Sequence, residues 1–225
     1  MKVDLWLAKL DEVPEEDGRD LAREEMERAD RFVRPELKMR FLKRRSILRK
    51  LLSEYLDIKP NEIVINQTIL GKPYVENPKA QIFFNISHSK DCVLYGFSNE
   101  SEVGVDIEFL DEEIEAELIS NHFFASEEIS LIQNSKGKLK SEAFFRLWCI
   151  KEAYIKLVGK GLTFPLDQVL VKDTMEKPRL EIPAVTNDQP FESLSCIYSN
   201  WLPNFGIGVV VQGNHLEIEY KQYRG

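Results

Sequence analysis

Asp106 and Glu108 stand two apart inside the apolar run Val103-Gly104-Val105-Asp106-Ile107-Glu108-Phe109. Such a run reads as a strand, on which alternate side chains share a face, so both carboxylates point one way and Val105 and Ile107 the other. Paired carboxylates repel, and a pKa rises unless a cation lies between them; a hard divalent ion with oxygen ligands is the simplest such cation. The competing reading is an edge strand that carries charge to block pairing. Further along, Trp148, Glu152 and Lys156 fall at i, i+4 and i+8, near one face of a helix. They are either a surface ion pair worth about 0.3–0.5 kcal/mol, or a third metal ligand or base, Glu152, beside a cation, Lys156, that holds a phosphate.

Two shorter features could contribute to the same chemistry. The apolar stretch Gln81-Ile82-Phe83-Phe84-Asn85-Ile86 ends abruptly in Ser87-His88-Ser89. A histidine there is either a satisfied structural residue or a donor to a phosphate oxygen. Upstream, Gly71-Lys72-Pro73-Tyr74 reads as a rigid turn presenting a lysine.

The charge pattern adds an anion site. Thirty Lys and Arg against 38 Asp and Glu give a net charge of −8, which excludes a protein that grips polyanions by bulk charge. Residues 28–50 nevertheless hold ten Lys and Arg and two acids. Pro35 opens a helix there, with Leu37, Phe41, Leu48, Leu52 and Tyr55 as its apolar stripe, Arg44 close to the stripe and Arg40 at its border. The arginines are either a solvated face that snorkels and pairs with acids or a local phosphate site, for which the guanidinium fork is suited. The patch is too short, and the whole chain too acidic, for nucleic acid.

The elements that must position these groups follow from length and periodicity. A chain of 225 residues, 43% apolar, holds one large domain or two small ones in contact. Strands are expected at 2–7, 63–67, 81–87, 92–98, 102–108, 169–172, 191–198, 206–212 and 217–221, and helices at 14–29, 35–55, 113–121, 126–133 and 141–157. Irregular alternation argues for α+β with antiparallel sheets. Residues 193–216 carry no formal charge, but Asn200, Pro203, Asn204, Gly206, Gly208 and Gln212 interrupt them, so two strands around a turn are expected rather than a membrane span. Cys92, Cys149 and Cys196 form no C-x-x-C pair, and Asp4 interrupts any signal-peptide core. A cytoplasmic protein with no membrane association is expected.

In order, Gly71-Lys72-Pro73, Asn85-Ile86-Ser87-His88-Ser89, Gly104-Val105-Asp106-Ile107-Glu108 and Trp148-Cys149-Ile150-Lys151-Glu152-Ala153-Tyr154-Ile155-Lys156 resemble the 4′-phosphopantetheinyl transferases. The closer resemblance is to the surfactin-synthetase-activating class, which has two half-domains in one chain; it runs from about residue 28 to about residue 170. The resemblance implies transfer of the phosphopantetheine arm of coenzyme A to a serine of an apo acyl or peptidyl carrier protein, releasing adenosine 3′,5′-bisphosphate. It also implies a pseudo-twofold pair of α+β half-domains, 1–101 and 102–225, with the active site in the cleft between them. A chain holding both halves is expected to be monomeric.

Carried over residue by residue, Asp106, Glu108 and Glu152 would hold Mg²⁺, with Mn²⁺ as the alternative ion. Asp106, Glu152 and Lys156 would form the catalytic set, Glu152 serving as base directly or through water, and Lys156 contacting the phosphates. Ser87 and His88 would bind the pyrophosphate or 3′-phosphate region, and Gly71, Lys72 and Pro73 would lie along the adenosine. Arg40 is the first candidate for the 3′-phosphate, then Arg34 and Arg28, with Arg45 and Arg49 as structural alternatives. One departure from the family pattern is Ala125 where Ser or Thr often follows the paired Phe123-Phe124; Ser126 is expected to cap the next helix instead. The carrier is expected to dock near Phe123 and Phe124. A coenzyme A-binding module without chemistry and a Mg²⁺-dependent nuclease are the rival readings; the nuclease would need a lysine two residues after Glu108, where Leu110 stands.

Overall fold

The computed structural model describes residues 1–76, 81–161, 164–172, 178–182 and 193–225. Its elements in chain order are β1 (Lys2–Lys9), α1 (Arg23–Ala29), α2 (Pro35–Leu56), β2 (Ile65–Gln67), β3 (Pro73–Val75), β4 (Phe83–Ser89), β5 (Cys92–Ser98), β6 (Val103–Phe109), α3 (Ala116–Phe123), α4 (Ser126–Asn134), α5 (Lys138–Val158), β7 (Leu170–Lys172), β8 (Arg179–Glu181), β9 (Leu194–Ser199), β10 (Phe205–Gln212) and β11 (Glu217–Gln222).

Strand alternation builds the core in layers. Val3, Leu5 and Leu7 of β1, with Cys92 and Leu94 of β5, face Val103, Val105 and Ile107 of β6 and Ile207 and Val209 of β10. The opposite face of β1 and β5, through Ala8, Val93, Tyr95 and Phe97, packs on Ile47, Leu48, Leu51 and Leu52 of α2. On the far side, Val210 of β10 packs with Phe144, Leu147, Ile150 and Tyr154 of α5. The layers are therefore α2, a sheet in the order β11-β1-β5-β4, a sheet in the order β6-β10-β9, and α5. Each half repeats one plan, a sheet backed by a long helix, in agreement with the expected α+β pair of half-domains.

The expected division at residue 102 needs one correction. Strand β11 pairs with β1 in parallel, Lys2 opposite Glu217 and Leu7 opposite Gln222, so the last strand lies in the first half's sheet. The side chains seal this return: Lys221 and Tyr55 both donate to Asp4 Oδ2, at 2.8 and 2.5 Å.

Several expected boundaries shift for local reasons. The helix expected at 14–29 is reduced to Arg23–Ala29, because Gly18 turns the chain at φ +82°, a left-handed conformation suited to glycine. The helix expected from 113 starts at Ala116, after the Asp111 side chain accepts from the Glu113 amide in a turn. Ala125, not Ser126, is the N-cap of α4, and Glu128 accepts from the Ala125 amide at 3.0 Å. The strand expected at 191–198 is Leu194–Ser199, and residues 191 and 192 lie outside the described part. Among the described residues no helix is long and apolar enough to cross a membrane.

Candidate active site

The two sheets meet edge to edge at β4 and β6, and the polar residues found in the sequence gather along that seam. On β6, Gly104, Asp106 and Glu108 share the face toward α5. A Cβ at Gly104 would lie 1.9 Å from the Ala153 carbonyl oxygen, and one at Gly208, the β10 partner of Asp106, 2.3 Å from the Cys149 carbonyl oxygen. The two glycines thus let α5 lie directly on the sheet. That close approach brings Glu152 and Lys156 to Asp106.

Asp106 is 1% exposed. Its Oδ1 accepts from the Lys156 ammonium at 2.6 Å and from the Ser87 hydroxyl at 2.8 Å, and Lys156 also donates to Ser87 Oγ at 2.8 Å. Glu108 Oε2 accepts from the Ser89 hydroxyl at 2.9 Å. Asp106 Oδ2 and Glu152 Oε1 are buried with no hydrogen-bond partner among the described residues. Burial, then the charge of Asp106, pushes the Glu152 carboxyl up to about 7 and raises that of Glu108. Burial opposes the charge on Lys156, but Asp106, Glu152 and Glu108 outweigh it and raise its pKa. Among the described residues, no three His, Cys, Asp or Glu side chains are drawn together closely enough to hold a metal ion as they stand.

Beyond Ser87 the seam opens into a basic cavity. Leu10, Phe32, Leu37, Arg40, Arg44, His88 and Lys90 line a volume of about 230 Å³. Arg40 donates to the Lys90 carbonyl at 2.6 Å and lies 3.5 Å from Asp11. Arg44 has no carboxylate partner among the described residues; burial, then the cations Arg28, Arg40 and Arg45, holds its pKa below the usual value. Desolvation, then Arg44 and Lys156, likewise lowers His88.

The remaining expected site residues are placed as follows. Arg34 is the exposed N-cap of α2 and does not line this cavity. Arg28 lies over the Phe41 ring and borders a neighbouring cavity with Glu24, Arg31 and Phe32. Arg45 and Arg49 both pair with Glu25, and Arg49 also donates to the Pro60 and Ile63 carbonyls, so the structural alternative describes them. Gly71, at φ +86°, turns the chain between β2 and β3. Lys72, next to it, bonds to Glu102 at 2.5 Å and to the Leu157 carbonyl at 2.7 Å, tying the turn to the end of α5. Pro73 begins β3.

Sequence reasoning passed over Arg44 and Lys90. Arg44 stood too near the apolar stripe of α2 to be chosen over Arg40, and it is that half-buried position which leaves its guanidinium facing a cavity instead of an acid. Lys90 had no signal in its spacing; it turns the β4–β5 hairpin at φ 55°.

Residues 102–200 match the family described as the 4′-phosphopantetheinyl transferase superfamily, and residues 15–98 match 4′-phosphopantetheinyl transferase, N-terminal. The chain is 33% identical to 4′-phosphopantetheinyl transferase HetI of Nostoc sp. over 183 residues, 79% of this chain and 76% of that protein. The chain belongs to the 4′-phosphopantetheinyl transferase superfamily. It is 32% identical to 4′-phosphopantetheinyl transferase Sfp of Bacillus subtilis, over 68% of this chain and 72% of that one, which places it in the Sfp-like class. Against slr0495 of Synechocystis sp., 35% identical, the match covers 70% of this chain and 64% of that protein. Among solved structures, the holo-[acyl-carrier-protein] synthase of Thermotoga maritima superposes with a TM-score of 0.41 at 22% identity, covering 49% of this chain and 62% of that one.

Proposed function

We propose that this member of the superfamily transfers the 4′-phosphopantetheine arm of coenzyme A to a serine hydroxyl of an apo acyl or peptidyl carrier protein in the cytoplasm. The observation that carries the reading is the pair of buried, unpartnered carboxylate oxygens, Asp106 Oδ2 and Glu152 Oε1, next to Lys156 at the seam. Unpartnered buried anions are costly, and with Glu108 they offer the oxygen donors that suit a hard divalent cation, which would draw the three carboxylates closer than they stand. Asp106, Glu108 and Glu152 would hold Mg²⁺, or Mn²⁺ in its place. When bound, the ion supplies charge neutralisation for a pyrophosphate.

The protein's own groups account for the rest of the reaction. Arg44, Arg40, Lys90 and His88 receive the 3′-phosphate of coenzyme A in the basic cavity, leaving Ser87 and Lys156 beside the pyrophosphate. Glu152 accepts the proton of the carrier serine. The serine oxygen bonds to the phosphorus that bears the pantetheine; the bond from that phosphorus to the bridging oxygen breaks, and adenosine 3′,5′-bisphosphate leaves with its new charge toward Lys156. Most of the rate acceleration in such a displacement comes from positioning and electrostatics. Three unpaired cysteines support a reducing compartment. We further propose Phe123, edge-on to Trp148 of the catalytic helix, and Phe124, tilted against the same ring, as the carrier-facing end of the site, and a monomer as the working unit.

Mass spectrometry of a panel of apo carriers incubated with coenzyme A and Mg²⁺ tests the reading. A phosphopantetheine adduct on the carrier serine is expected; binding of coenzyme A with no adduct on any carrier would favour a module that has lost its chemistry.

A further inference from the structure

Strands β4 and β6 are the outer strands of their sheets, and they run alongside each other without joining in one sheet. Side chains of β4 take the place of a backbone ladder. Asn85 Oδ1 accepts from the Val105 amide at 3.1 Å, Ser87 donates to Asp106, and Ser89 reaches Glu108 and Phe109. Of these three, Ser89 alone uses both capacities of its hydroxyl on β6. Its oxygen accepts from the Phe109 amide at 3.0 Å, which leaves its proton to the Glu108 carboxylate at 2.9 Å.

We propose that Ser89 is a positioning residue that sets the orientation of Glu108 for the divalent cation. The inference rests on the metal reading above. Glu108, carried on β6 of the second half, is thereby held by a donor from the first half, Ser89, so its carboxylate is fixed across the seam. Outer donors of this kind orient a ligand before the ion arrives, and their loss typically lowers metal affinity about 10–100-fold.

The test is calorimetric titration of Mg²⁺ into the full chain saturated with coenzyme A, with coenzyme A affinity measured separately in chelator and folding checked by thermal melting. Ser89→Ala is expected to weaken Mg²⁺ about 10-fold or more, leave coenzyme A affinity unchanged and melt as a cooperative unit; Ser89→Thr, which keeps the hydroxyl, restores Mg²⁺ affinity. Unchanged Mg²⁺ affinity in Ser89→Ala overturns the proposal. So does parallel loss of Mg²⁺ and coenzyme A affinity, or a variant that does not fold, since each marks Ser89 as a seam fastener only. Glu108→Gln in the same titration separates the two readings: if it weakens Mg²⁺ and Ser89→Ala does not, only the role of Ser89 falls, and if neither changes it, the metal site falls too.

Discussion

Glu152 is held where a free carboxylate is least comfortable, and its substitution separates its roles. Glu152→Gln is expected to lower kcat by about 10²–10⁴; normal turnover in steady-state assays, with Mg²⁺ still bound, would remove it as the base. The same residue makes the metal-free protein pH-sensitive. Its folded pKa of about 7 lies above the ordinary 4.5, so its contribution to stability is full below about 4.5 and lost as pH rises through about 7. Thermal melts in chelator should fall across that window, and Glu152→Gln should flatten the fall. Arg44 offers a second test: Arg44→Ala should raise KM for coenzyme A about 10–100-fold and leave KM for 3′-dephospho-coenzyme A unchanged. At this scale the motifs were well marked, since strand alternation put Asp106 and Glu108 on one face and helix spacing aligned Glu152 with Lys156. What spacing did not convey was which arginine of a crowded helix keeps its charge unpaired, because that depends on where Glu25, Asp11 and Asp30 fold back.

At the level of elements, the site exists because α5 lies almost on the backbone of β6 and β10. Gly104→Ala would place a methyl group against the Ala153 carbonyl, and backbone cannot swing aside as a side chain can. A loss of about 3 kcal/mol is expected, seen as a fall of about 6–12 °C in Tm, with activity reduced in the fraction that stays folded as Glu152 and Lys156 move outward. Unchanged Tm would show that the helix has room to retreat. Most strands and the two long helices were legible from periodicity, the short β3 and β8 were not, and Gly159, at φ 76°, ends α5 where expected. The close-packing role of Gly104 was not, because a glycine in a strand looks the same whether it meets solvent or a helix. Gly18 likewise ended an otherwise plausible helical stretch before Arg23.

For the molecule as a whole, an acidic chain concentrates its positive charge on α2 and spends much of it internally. Lys38, Arg40, Arg45, Arg49 and Lys50 all meet carboxylates. The α+β architecture of two half-domains was legible, but the return of β11 was not, since pairing between residues 2 and 217 leaves no local trace. Removing residues 217–225 should take Ile218 from the core between the sheets and Lys221 from Asp4. A loss of about 3 kcal/mol or more is expected, with faster hydrogen exchange in β1 as the measurement; unchanged protection there would mean that the strand is an ornament. That same pairing constrains how the protein is made. While a ribosome is still adding residues near 200, β1 has β5 to bond with on one side and nothing on the other. The half that is synthesised first is thus the half completed last, and a nascent chain stalled late would present an open strand to whatever else is in the cell.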